Sequence, residues 1–155
     1  MLTVAATLSL ALQCAPTTSH PDELARVLTG IALQESRLDP AAKHPNTNGT
    51  IDYGLLQVNS AHIGRAIGYH GHVITAQSLL DPCESMAAGG AILLGGLSAY
   101  NTGDQRRGIA NGYAARAVAA ISQVMDQRDV GQAAKPGVSD KPAPLTLSGQ
   151  FASFR

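Results

Sequence analysis

Leu24, Val27, Leu28, Ile31, Glu35 and Leu38 recur at spacings of three and four. At about 3.6 residues per turn such positions share one face of an α-helix. The spacing predicts a helix from near Ser19, whose hydroxyl can cap free amides, with Pro21 in the first turn and Asp22 and Glu23 at the positive helix end. It predicts an end near Leu38, because the residue before Pro40 is pushed out of the helical region. Glu35 is the one carboxylate in the apolar stripe.

The remaining pattern supplies smaller pieces. Residues 4 to 12 form an apolar run that reads either as a signal segment or as a short docked helix ending before Pro16. No Lys or Arg precedes the run, which favours the helix, and it is too short to span a bilayer. Residues 41 to 53 carry the turn dipeptide Asn48-Gly49 between Thr47, Thr50 and Ile51, predicting a small two-stranded flap. Ser60 is placed to cap a short helix through Ala66.

Residues 68 to 80 read as loop, and His70 and His72, with no third ligand in view, read as surface histidines rather than a metal site. Asp81-Pro82-Cys83-Glu84 opens a helix to about Tyr100 with a capping-box pattern. Its glycines, at about 1 kcal/mol each relative to Ala, predict a helix that is buried and closely packed. A polar connection from Gln105 to Ala110 leads to a last helix through about Met125, with Tyr113, Ala117, Ile121 and Val124 on its apolar face. After residue 126 the composition turns to Gly, Pro, Ala, Ser and Lys without period, so residues 1–126 read as one domain and 127–155 as a disordered tail. Phe151 and Phe154 stand in that tail, free or as an anchor for a partner.

Composition narrows the possibilities. There is no Trp, and both Phe lie at the C-terminus, so Ala, Leu, Ile and Val must fill the core. The 11 basic and 11 acidic residues are scattered singly, which leaves no footprint for nucleic acid or an anionic membrane. Cys14 and Cys83 belong to no C-x-x-C pair, which argues against zinc; they are two buried thiols or one disulfide. A disulfide would close a loop of roughly 70 residues and add about 4 kcal/mol on chain-entropy reasoning.

Glu35 then carries the chemical question. A carboxylate half removed from water holds its proton more tightly and suits general-acid work; one at the edge of the stripe would snorkel or pair with Arg37 or Arg116. The pieces Glu35-Ser36, Gly54-Leu55-Leu56-Gln57-Val58-Asn59, Tyr100-Asn101-Thr102-Gly103 and Asn111-Gly112-Tyr113 occur in that order. Together they resemble the lytic transglycosylases of lysozyme-like fold, in particular the small ones that accompany type IV secretion and conjugation. Cys14-Ala15-Pro16 and Leu79-Leu80-Asp81-Pro82-Cys83 look like the same subgroup.

The resemblance implies a mainly α, α+β lysozyme-like domain with a short β-flap and a cleft. It implies Glu35 as the sole catalytic acid, Tyr113 beside it, and Ser36, Gly54, Leu55, Gln57, Asn59, Tyr100 and Asn101 as substrate-binding positions. Leu56 replaces the family's usual Met, an apolar exchange. A serine that some relatives carry before the Gly-Leu-Met-Gln stretch has no match among Thr47, Thr50 and Asp52. No metal or cofactor is implied.

The implied reaction cleaves peptidoglycan glycan strands in the periplasm, with the sugar's own 6-hydroxyl closing a 1,6-anhydro product. The oxidising compartment implied by that substrate also implies the Cys14–Cys83 disulfide. Secretion components are candidate partners of the tail. Two other functions compete: a lysozyme-type hydrolase using Asp52 as second carboxylate, and a non-catalytic module binding glycan or a secretion partner.

Overall fold

A computed structural model of the protein describes residues 1–132, with side chains through Asp126. Helices α1 (Val4–Cys14), α2 (Pro21–Ser36), α3 (Pro82–Thr102), α4 (Arg107–Ala110) and α5 (Tyr113–Gln132) surround a core centred on Leu24, Leu28, Leu55, Ile74, Leu79, Met86 and Val118. Between α2 and α3 lies an antiparallel sheet of β1 (Lys43–Pro45), β2 (Ile51–Tyr53) and β3 (Val58–Asn59). The mainly helical α+β architecture expected of a lysozyme-like domain is therefore present. Among the described residues no helix is long and apolar enough to cross a membrane.

The residues 4 to 12 run forms a docked helix. Thr3 caps α1, and the helix packs on α2 and α3. Its far end is fixed by a Cys14–Cys83 disulfide, with the two Cα atoms 5.2 Å apart, in agreement with the implied pairing. The glycine-rich α3 is close-packed where expected: a Cβ on Gly89 would meet Leu56, and one on Gly90 would meet Pro16 and Leu28. Gly96 has open space around it, and nothing in the packing explains it.

Several local expectations are corrected. The cap of α2 lies one residue beyond Ser19: His20 occupies it without a side-chain bond and lies 3.7 Å from Glu23. The helix ends at Ser36, before Pro40 can act, because Arg37 and Leu38 both turn into the left-handed region at φ 54° and 65°. The expected flap has a third strand, with Asp52 paired to both His44 and Asn59.

Instead of a helix through Ala66 there is one 3-10 turn, Ser60–His62. It is capped by Asn59, while the Ser60 hydroxyl accepts from the Ile51 N–H at 3.1 Å. On α5 the buried line is Ala114, Val118 and Ser122, spaced by four, together with Ala115; Ile121 and Val124 are exposed. Small residues on that line let α5 approach α2 and α3, so the larger apolar side chains face outward. The helix also continues to Gln132, past the expected helix end near Met125. The rest of the expected tail, including Phe151 and Phe154, lies outside the described residues.

Removing the disulfide by paired Cys14→Ser and Cys83→Ser substitutions is expected to lower unfolding stability by about 2–4 kcal/mol, read from denaturant midpoints. An unchanged midpoint, or two titratable thiols in the unreduced wild-type protein, would contradict the bridge.

Candidate active site

The Gly54 to Gln57 turn is fastened from both sides. The buried Ser36 hydroxyl donates to the Leu55 carbonyl at 2.8 Å and to the Ala32 carbonyl at 3.0 Å, joining the end of α2 to the turn. From α3, the fully buried Ser85 hydroxyl accepts from the Leu56 N–H at 3.0 Å. Gly54 is required by geometry: its φ is +74°, and a Cβ there would strike the Leu79 carbonyl. Gln57 has φ 49°, and its side-chain amide donates to Gly54 O at 2.8 Å and Ala42 O at 3.3 Å.

These facts redefine several candidate residues. The side chains of Ser36 and Leu55, 8% and 0% exposed, face the interior, which leaves the main chain of the turn as the part able to line a cleft. Their place is to hold the turn against the helix that carries Glu35. Asn59 is likewise engaged: its amide donates to Asp52 Oδ1 at 2.7 Å and Thr50 Oγ1 at 2.9 Å, and its Oδ1 accepts from the Ala61 N–H at 2.9 Å. The other Asp52 oxygen accepts from Asn46 Nδ2 at 3.0 Å. Asp52 is thus the hub of the flap, with each carboxylate oxygen held by an amide.

Glu35 is exposed, which decides between the two readings of the stripe in favour of a place at its edge. The buried face of α2 runs along Leu24, Leu28, Ala32 and Ser36; Ile31 is half-buried at its border and Glu35 lies one turn further along that border. Among the described residues Glu35 has no hydrogen bond or ion pair from its side chain, so it pairs with neither Arg37 nor Arg116. Arg116 instead donates to the Asn111 carbonyl at 3.2 Å. Arg37 and Leu38, directly after Ser36, each adopt a conformation that costs a non-glycine residue about 1–2 kcal/mol.

The α3–α5 connection carries the remaining candidate residues. Tyr100 is 87% exposed and Asn101 is exposed, both on the last turns of α3, and neither bonds to the flap. Gly103 ends that helix at φ 70°. The buried Ser98 hydroxyl donates to the Asp104 carbonyl and accepts from the Gly108 N–H at 2.8 Å, folding the connection back on α3.

The backbone N–H groups of Arg106 and Arg107 hold the Asp104 carboxyl below its ordinary range. This contribution is present above the unfolded value near 3.8 and is lost as pH falls through the lower folded value. Tyr113 opens α5 half-buried, with its N–H donating to Asn111 Oδ1 at 3.0 Å and no hydrogen bond to Glu35.

Two contributors were not foreseen. Ser85 sits inside the small-residue run of α3, where only a hydroxyl among buried neighbours would have flagged it. Asn46 was masked by its place in a turn-rich loop. Of the two loop histidines, His72 bonds to Glu84 at 2.7 Å, and Glu84 also accepts from the Tyr69 N–H at 2.9 Å. Glu84 therefore fastens the 68–74 loop instead of closing the second half of a capping box.

A family model for the transglycosylase SLT domain matches residues 17–129, and the chain belongs to that family. This agrees with the resemblance carried by the motifs. Among curated relatives, the chain is similar to protein virB1 of Agrobacterium fabrum (strain C58), at 31% identity across 76% of this chain and 60% of that protein. It is also similar to invasion protein IagB of Salmonella typhimurium (strain SL1344), at 40% identity across 43% of this chain and 41% of that one. The chain thus spans about three-fifths of the length of virB1 in the match. No solved structure matches.

Ser36→Ala and Ser85→Ala should each destabilise by about 1–3 kcal/mol, because each leaves a main-chain group of the turn without its partner in the interior. Thermal or urea unfolding reads this out. A change under a few tenths of a kcal/mol in both would show that the turn is not held in this way.

Proposed function

We propose that the protein is a peptidoglycan lytic transglycosylase that cuts the β-1,4 bond between N-acetylmuramic acid and N-acetylglucosamine, with Glu35 as its only acid and base. The observation that carries this reading is an unpaired carboxylate on the last turn of a helix that the Ser36 hydroxyl ties to the Gly54 to Gln57 turn, in a chain of the SLT family. Protonated Glu35 gives its proton to the glycosidic oxygen, which leaves with the bonding electrons. The 2-acetamido oxygen stabilises the cationic carbon. The resulting carboxylate takes the proton of the 6-hydroxyl as that oxygen bonds to C1, which closes the anhydro ring and restores the acid. No water is consumed.

Because Glu35 is exposed in the free protein, the glycan itself must exclude water from it. In this reading Tyr113 supplies a hydroxyl at the start of α5 and Tyr100 a face for a sugar ring. Gln57 keeps its Oε1 for an acetamido N–H, since only its nitrogen is engaged with Gly54 and Ala42. The similarity to virB1 supports work in the periplasm that opens the wall for a secretion or conjugation apparatus, with the segment after α5 as the route to such partners. The hydrolase reading is weaker, since Asp52 has one amide donor on each oxygen and serves the flap.

Glu35→Gln should lower clearing of a peptidoglycan gel by at least about 10²-fold. Asp52→Asn should raise KM more than it lowers kcat. Equal clearing by wild type and Glu35→Gln would remove Glu35 from its role, and an Asp52→Asn collapse in kcat as deep as that of Glu35→Gln would shift the reading to a hydrolase.

A further inference from the structure

The end of α2 is supported from a direction the cleft residues do not account for. After Ser36 the chain makes two left-handed residues in succession, Arg37 and Leu38, neither of them glycine. The turn is closed internally by the Leu38 N–H on Ala32 O at 3.3 Å and the Asp39 N–H on Ser36 O at 3.1 Å. The Leu38 side chain is buried at 5% exposure. Its carbonyl accepts the Leu2 N–H at 2.8 Å, a main-chain bond that crosses 36 positions of sequence (38 − 2).

Leu2 packs on the core, and Thr3 beside it caps α1. The other end of α1 is tied to α3 through Cys14–Cys83. The N-terminal segment is therefore a brace anchored at one end on α3, with its other end on the turn that follows the acid. Two adjacent left-handed non-glycine residues persist only where surrounding contacts over-determine them. Beside the packing of the Leu38 side chain in the core, the Leu2 N–H is, among the described residues, the hydrogen bond that reaches this turn from outside its own helix and loop.

We infer that Leu2 is a positioning residue: its main-chain N–H, presented by α1, holds the Arg37–Leu38 turn in its left-handed form and thereby sets the position of Glu35. The inference rests on the reading of Glu35 as the acid. It does not depend on Leu2 touching substrate. Misplacement of a reacting group by about 1 Å is enough to cost up to about 10²-fold in rate, so a loosened turn acts on kcat more than on KM.

The test uses the full chain with Leu2→Pro, which removes the N–H just ahead of the helix cap where proline is tolerated, against Leu2→Ala, which keeps it. Relative to Leu2→Ala, Leu2→Pro is expected to lower kcat on soluble peptidoglycan oligomers about tenfold with KM within about twofold. In the same pair, amide exchange at Leu38 and Asp39 is expected to speed up at least about tenfold while exchange in α3 is unchanged, a readout independent of activity. Equal exchange at Leu38 and Asp39 in the two variants overturns the inference, as does equal kcat.

Glu35→Gln in parallel separates the two claims. If Glu35→Gln is inactive and the Leu2 variants match, the brace is wrong and the acid stands. If Glu35→Gln is fully active, the acid is wrong, and faster exchange at the turn then reports only a brace without a catalytic role, which also overturns the inference.

Discussion

Two buried hydroxyls, Ser36 on α2 and Ser85 on α3, hold the main chain of the Gly54 to Gln57 turn between them. The turn joins β2 to β3 and is tied to α2 and α3, so its position relates the helix that carries Glu35 to the flap. It has no side chain at Gly54 and a left-handed Gln57, which makes it dependent on these outside partners. Each bond is worth little net, but leaving its partner unmet in the interior costs more than the bond gains. That asymmetry keeps helix, turn and flap in one arrangement.

The flap has its own centre in Asp52. Asn46, in the loop just after β1, and Asn59, on β3, approach its two oxygens, and Thr50 and Ser60 extend the network along the sheet. With strands of only two or three residues, ladder bonds alone are a weak basis for order. The side-chain network compensates for their shortness. A carboxylate used this way is a poor candidate for a second reacting group, which returns the chemistry to Glu35.

Much of this was legible in the chain. The helix around Leu28, the hairpin at Asn48-Gly49, the close packing of α3 and the family motifs all follow from local patterns that tertiary structure keeps. The errors have a common cause in small residues. Ala32 and Ser36 on α2, and Ala114, Ala115 and Ser122 on α5, form the buried lines. Apolar periodicity gives weight to Ile31, Ile121 and Val124 instead. The stripe therefore leaves open a buried reading of Glu35, which lies beside the buried line, and the Glu35-Ser36 pair suggests a sugar contact at Ser36, whose hydroxyl fastens the turn. Ser85 was invisible because its partner is a backbone N–H 29 residues away.

The account makes one carboxylate perform both proton transfers and gives the second, Asp52, a structural task. Mass spectrometry of the fragments released from purified peptidoglycan tests this most directly. Fragments ending in 1,6-anhydro-N-acetylmuramic acid, lighter by one water than their reducing counterparts, are the predicted result. Fragments ending only in reducing sugars would contradict it and place a water, and a base to activate it, at the centre of the reaction.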